Sequence, residues 1–120
     1  MKASDLPGGP KSGEMLCRVT DIADGRAKEF AYQAGDERRA MFIQRMGDDV
    51  FAYENSCPHA HLPLNIKEGV FTEKSGTYFM CSNHGALFDI KSGACLGGPC
   101  NGQGLTKIEI DLKDGEILAR

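Results

Sequence analysis

Apolar residues fall at alternate positions over short stretches, and no window sustains the 3.6-residue period of an amphipathic helix. The clearest case is residues 105–112, where Ile108, Ile110 and Leu112 alternate with polar neighbours. Asp114-Gly115 follows, and a second short apolar run returns over 116–119. Asp-Gly between two alternating runs predicts a hairpin with a type I′ turn. Residues 39–46 and 50–54 predict another hairpin around Gly47-Asp48-Asp49, and residues 15–20 and 28–32 read as strands flanking the turn signal Asp24-Gly25. Residues 69–72 and 77–80 bracket Lys74-Ser75-Gly76 as a further strand pair. The reading is an all-β domain of seven to nine short strands. A Gly- and Pro-rich segment, 1–14, is read as a flexible lead-in, and 15–120 as a single domain.

Charge divides the chain unevenly. The 52 residues from Asn55 to Thr106 carry six charges: Lys67, Glu68, Glu73, Lys74, Asp89 and Lys91. The same segment holds all three histidines, four of the five cysteines, three of the five prolines and eight of the fifteen glycines. Backbone this rich in Gly and Pro is shaped into loops, and the loops collect every histidine and all but one of the cysteines. The formal net charge of -3 argues against a nucleic-acid partner, which calls for a basic face. No apolar run reaches the ~20 residues of a membrane span, and no apolar signal region follows Lys2. The expected compartment is the cytoplasm, where an odd set of five cysteines reads as metal ligands and thiols rather than a disulfide framework.

Two motifs carry the chemistry. Cys57-Pro58-His59 and Cys81-Ser82-Asn83-His84 are each set just after a predicted strand and stand 21 residues apart. Two thiolates and two imidazoles make a four-donor set for a soft or borderline metal, either one tetrahedral zinc or an iron–sulfur cluster of mixed ligation. Downstream come Gly85-Ala86-Leu87-Phe88-Asp89, the turn Ser92-Gly93, and Gly97-Gly98-Pro99. This succession resembles the Rieske iron–sulfur family closely over 55–105, and more loosely through the flanking strands.

The resemblance implies a small Rieske-like β-sandwich or barrel with a cluster-binding subdomain, about 55–106, built on two ligand loops. It implies one [2Fe-2S] cluster, with Cys57 and Cys81 on one iron and His59 and His84 on the other. Neutral imidazoles in place of thiolates remove negative charge, so the potential rises above that of all-cysteine clusters. High-potential respiratory relatives carry an extra disulfide-forming cysteine in each loop; Leu62 and Asn83 stand at those positions here. Ala86 and Phe88 stand where those relatives aim a serine and a tyrosine hydroxyl at the sulfurs. A potential near the lower end of the Rieske range, about −150 mV, is therefore expected.

The implied function is a one-electron carrier between a flavoprotein reductase and a terminal oxygenase, without catalysis of its own. It is expected to be a monomer that docks transiently through a neutral patch of His59, Ala60, His61, Leu62, Pro63, His84 and Pro99. The alternatives are a small Rieske subunit of a nitrite-reductase type enzyme, or a zinc-stapled interaction module. His61 is read as a loop residue rather than a ligand. Cys95 and Cys100 are read as ordinary loop residues, with an adventitious disulfide as the alternative, Cys17 as core, and Phe42, Phe51, Tyr53 and Phe79 as core packing.

Overall fold

Four consecutive apolar residues, Ala40 to Ile43, belong to a strand covered on both faces, which removes any need for alternation. The structure is a computed structural model describing residues 1–58, 62–65, 67–82, 85–98 and 102–120. Among the described residues the strands are β1 (Met15–Arg18), β2 (Ala27–Ala34), β3 (Glu37–Met46), β4 (Asp49–Glu54), β5 (Tyr78–Met80), β6 (Leu87–Asp89), β7 (Cys95–Gly97), β8 (Ile110–Lys113) and β9 (Glu116–Ala119), with no α-helix. They form three antiparallel sheets of order β1-β9-β8, β2-β3-β4 and β5-β6-β7.

The sheet β2-β3-β4 serves two cores. Met41 and Ile43 of β3, with Ala52 of β4, face a core shared with Cys17, Val19, Ile22, Ile108, Ile117 and Ala119. Phe42 and Tyr53 point the other way, to a core shared with Phe71, Phe79, Phe88, Leu64, Cys57 and Cys81. A period of two along β3 and β4 thus divides their side chains between the layers. Rings dominate the second core: Phe42 stacks on Phe71 at 3.9 Å between centroids, and Phe79 meets Phe42 and Tyr53 edge-on at 5.2 and 5.5 Å. Tyr53 also donates its hydroxyl to the Ile90 carbonyl at 2.6 Å, tying β4 to the β6–β7 turn. Burial pushes that phenol well above the ordinary tyrosine range. Each buried ring contributes about 1.5–3 kcal/mol, so this core is firm ground for the loops set on it.

Several expectations hold in detail. Asp114 and Gly115 both have positive φ, 52° and 77°, as a type I′ turn requires. Others are modified. Residues 69–72 make only the isolated bridge Thr72↔Phe79, because Gly69 turns the chain at φ 73° to accept the Ala27 N–H. The run 105–112 is shared between sheets: Thr106 and Ile108 bond to Glu54 and Ala52, and only from Ile110 does the chain pair with β9. After β1, the Arg18 N–H is captured by the Asp21 carboxylate at 2.8 Å, and residues Val19–Asp21 wind into a 3-10 turn. The lead-in expected to be flexible is packed down. Ala3 and Leu6 are buried, the amino terminus donates to the Lys107 carbonyl, and the Ser4 N–H bonds to the Arg120 carbonyl. Among the described residues no helix is long and apolar enough to cross a membrane.

Candidate metal centre

The first motif begins where β4 runs out. Glu54, the last residue of that strand, is buried and paired with the Arg39 guanidinium, and the Asn55 N–H bonds to the Ala40 carbonyl at 2.8 Å. Two residues on, Cys57 is fully buried, and its N–H donates to the Leu62 carbonyl at 2.8 Å. The second motif begins where β5 runs out. Cys81 is fully buried, its N–H donates to the Ala86 carbonyl at 2.9 Å, and its own carbonyl accepts the Gly85 N–H at 2.8 Å. Both cysteines therefore open a loop closed by the same bond, from their own N–H to the carbonyl five residues ahead. The two loops are tied together where the Ser82 N–H donates to the Leu64 carbonyl at 2.8 Å.

Cys57 and Cys81 belong to one buried core, beside Phe79, Ala86 and Phe88, and neither is in a disulfide. The other two residues of the four-donor set, His59 and His84, lie outside the described residues, as do Ala60, His61, Asn83, Pro99 and Cys100. Of the expected docking patch, Leu62 and Pro63 are described and both are exposed. Ala86 and Phe88 are fully buried and neither side chain has a hydroxyl to offer. Gly98 carries the third loop across the second at φ 91°, where a Cβ would sit 2.8 Å from the Ala86 Cα, so glycine is what lets these backbones meet. Beside the first loop an open cleft of about 1130 Å³ is lined by Arg38, Arg39, Glu54, Asn55, Pro58 and Pro63.

Of the remaining cysteines, Cys17 lies in the other core, as expected, and burial pushes its thiol up. Cys95 departs from the reading as an ordinary loop residue. It is a β7 residue opposite Phe88, packs against the aromatic core and is disulfide-bonded. Sequence reasoning also passed over Asn55 and Asn65, whose side chains are joined at 3.1 Å across the base of the first loop. Asparagine beside a ligand motif carries no signal until the fold shows what it touches.

The donor chemistry suits a thiophilic iron group. Cys57 and Cys81 both lie in one apolar core, away from water, each at the head of a loop closed by a backbone bond. No curated protein sequence matches the chain. Solved structures do. It is similar to the ferredoxin of carbazole 1,9a-dioxygenase from Nocardioides aromaticivorans IC177 (24% identity, 91% of this chain and 97% of that one, TM-score 0.67). A Sphingomonas yanoikuyae B1 ferredoxin is similar at 25% identity (89% and 96% covered, TM-score 0.63). A protein described as the small subunit of an NADPH nitrite reductase is similar at 17% identity (92% and 99% covered, TM-score 0.62). Residues 13–113 match the Rieske [2Fe-2S] domain. With nearly the whole chain inside that match and two buried cysteines at the heads of twin loops, the protein belongs to the Rieske [2Fe-2S] domain family.

Proposed function

We propose that the chain is a one-electron carrier serving a terminal oxygenase, reduced by a flavoprotein reductase, with Cys57 and Cys81 holding one iron and His59 and His84 the other. The observation that carries this reading is the pair of buried cysteines, each opening a loop closed by the same backbone bond, within one aromatic core. When bound, the cluster supplies reversible one-electron chemistry near the low end of its family's range.

The protein's own part is to hold and to shield. Cys57 and Cys81 sit on the inner side, away from water. Leu62 and Pro63 present an exposed apolar shoulder beside the first motif, suited to a small, short-lived interface. The chain has three histidines, and two are assigned to the cluster. A mononuclear oxygenase iron needs two more with a carboxylate, so oxygen chemistry is left to the partner. Support for an oxygenase partner comes from similarity to a ferredoxin solved in complex with the oxygenase of carbazole 1,9a-dioxygenase (21% identity, TM-score 0.66).

The similarity to a nitrite reductase small subunit sustains a second reading, a fixed subunit of a larger reductase. The family assignment sets aside the zinc-stapled module. The carrier reading predicts that anaerobic coulometry takes up one electron per chain reversibly, and that the native protein elutes from gel filtration as a free monomer. Stoichiometric co-elution with a large reductase would replace the carrier by the subunit.

A further inference from the structure

The base of the first loop holds polar contacts that none of the ligand roles uses. Asn55 Oδ1 accepts the Leu64 N–H at 2.9 Å, and Asn55 Nδ2 donates to Asn65 Oδ1 at 3.1 Å. Asn65 Nδ2 in turn donates to Glu29 Oε2 at 3.1 Å and to the Lys67 carbonyl at 3.0 Å. The same Glu29 oxygen accepts the Gly69 N–H at 3.0 Å. Glu29 lies on β2, opposite Phe42 of β3, so the chain of contacts is rooted in the central sheet. Its other end reaches the second loop: Leu64, held through its N–H by Asn55, gives its carbonyl to the Ser82 N–H beside Cys81. The Leu64 side chain is fully buried in the core that contains Cys57 and Cys81.

We propose that Glu29, Asn65 and Asn55 form a clasp that closes the first ligand loop at its base and, through the Leu64 main chain, sets its register against the second. These are positioning residues. All three are partly buried, where a hydrogen bond is stronger than in open water. Asparagine is the residue type that can do this at both loop positions, because one amide supplies a donor and an acceptor together. Asn55 uses both, binding Leu64 with its oxygen and Asn65 with its nitrogen. Asn65 does the same between Asn55 and Glu29.

The clasp rests on the ligand assignment above, and its test separates the two. The readouts are the rate at which an iron chelator bleaches the visible absorbance of the holoprotein, and the backbone amide exchange of Leu64 and Ser82. Asn65→Asp sets a carboxylate against Glu29 and removes the donor; bleaching should quicken about tenfold, and the Ser82 amide should lose protection. Asn55→Ala should do the same. Glu29→Gln keeps an oxygen that can accept both the Asn65 amide and the Gly69 N–H, and should hold bleaching within about threefold of the parent, whereas Glu29→Ala, which removes that acceptor, should quicken it as Asn65→Asp does. A split between the amide and the alanine at Glu29 is not expected if that residue acts through its charge alone. Parent-like bleaching and amide protection in Asn65→Asp, or equal bleaching in Glu29→Gln and Glu29→Ala, would overturn the clasp while leaving the ligands as assigned. A parent protein with no chelatable chromophore would overturn the ligand assignment itself. Should Asn55→Ala fail to fold, the Asn65 and Glu29 variants still decide.

Discussion

Serine in place of Cys57 is expected to leave the purified chain with at most about one-tenth of the parent's bound iron. A thiol gives up its proton near pH ~8.5, and a hydroxyl only far above that, so the substituted side chain is a poor anionic ligand at neutral pH. Cys57 is fully buried, and a hydroxyl left there without a partner adds about 1–3 kcal/mol of desolvation cost. Cys17→Ser is the matched control. It also places a hydroxyl in a core, but in the one on the opposite face of the central sheet. Iron content and thermal melting should separate the two: loss of stability with full iron for Cys17→Ser, loss of iron for Cys57→Ser. Full iron in both variants would remove Cys57 from the ligand set.

Cysteine in place of His84 should keep a cluster and lower its potential by roughly 125 mV, about half the span from near −150 mV to the roughly −400 mV of all-cysteine [2Fe-2S] proteins, because one of the two imidazoles is replaced. The cause is charge: a thiolate puts a full negative charge on the iron that a neutral imidazole leaves without one, and the oxidised state gains most. Hydrogen bonding around the sulfurs is the smaller lever. One bond of about 1 kcal/mol corresponds to roughly 40 mV for a one-electron couple. Ala86 and Phe88, both buried and without hydroxyls, forgo two such bonds at most. Spectroelectrochemical titration of the two proteins reads the difference directly. An unchanged midpoint would show that His84 is not bound to iron.

The strands and the two Cys-His motifs were legible because each is local. The short apolar run over residues 116–119, Asp114-Gly115 in the hairpin turn, and the apolar stretch within β3 each state their structure within a few residues. Cys-x-His followed by Cys-x-x-His-Gly needs no fold to be noticed. What stayed hidden depends on distant partners. Residues 107–112 show one unbroken alternation, and nothing in it marks Lys107 as bridging Tyr53 while Leu112 pairs with Ile117 in another sheet. The glycines and prolines of 1–14 read as looseness, yet a Cβ on Gly8 would meet the Gln33 carbonyl oxygen at 2.0 Å, so glycine there permits close packing. Glu29 and Asn65 are 36 residues apart in sequence, and only the fold brings them together.

Pulsed EPR of the dithionite-reduced holoprotein bears most directly on the proposed pair of loops holding one mixed-ligand cluster. The spectrum is expected to show two strongly coupled histidine nitrogens, to lose one of them in His84→Cys, and to keep both in His61→Ala. A reduced cluster without nitrogen coupling, or one whose coupling disappears in His61→Ala, would contradict the assignment of His59 and His84 as the ligands of the outer iron.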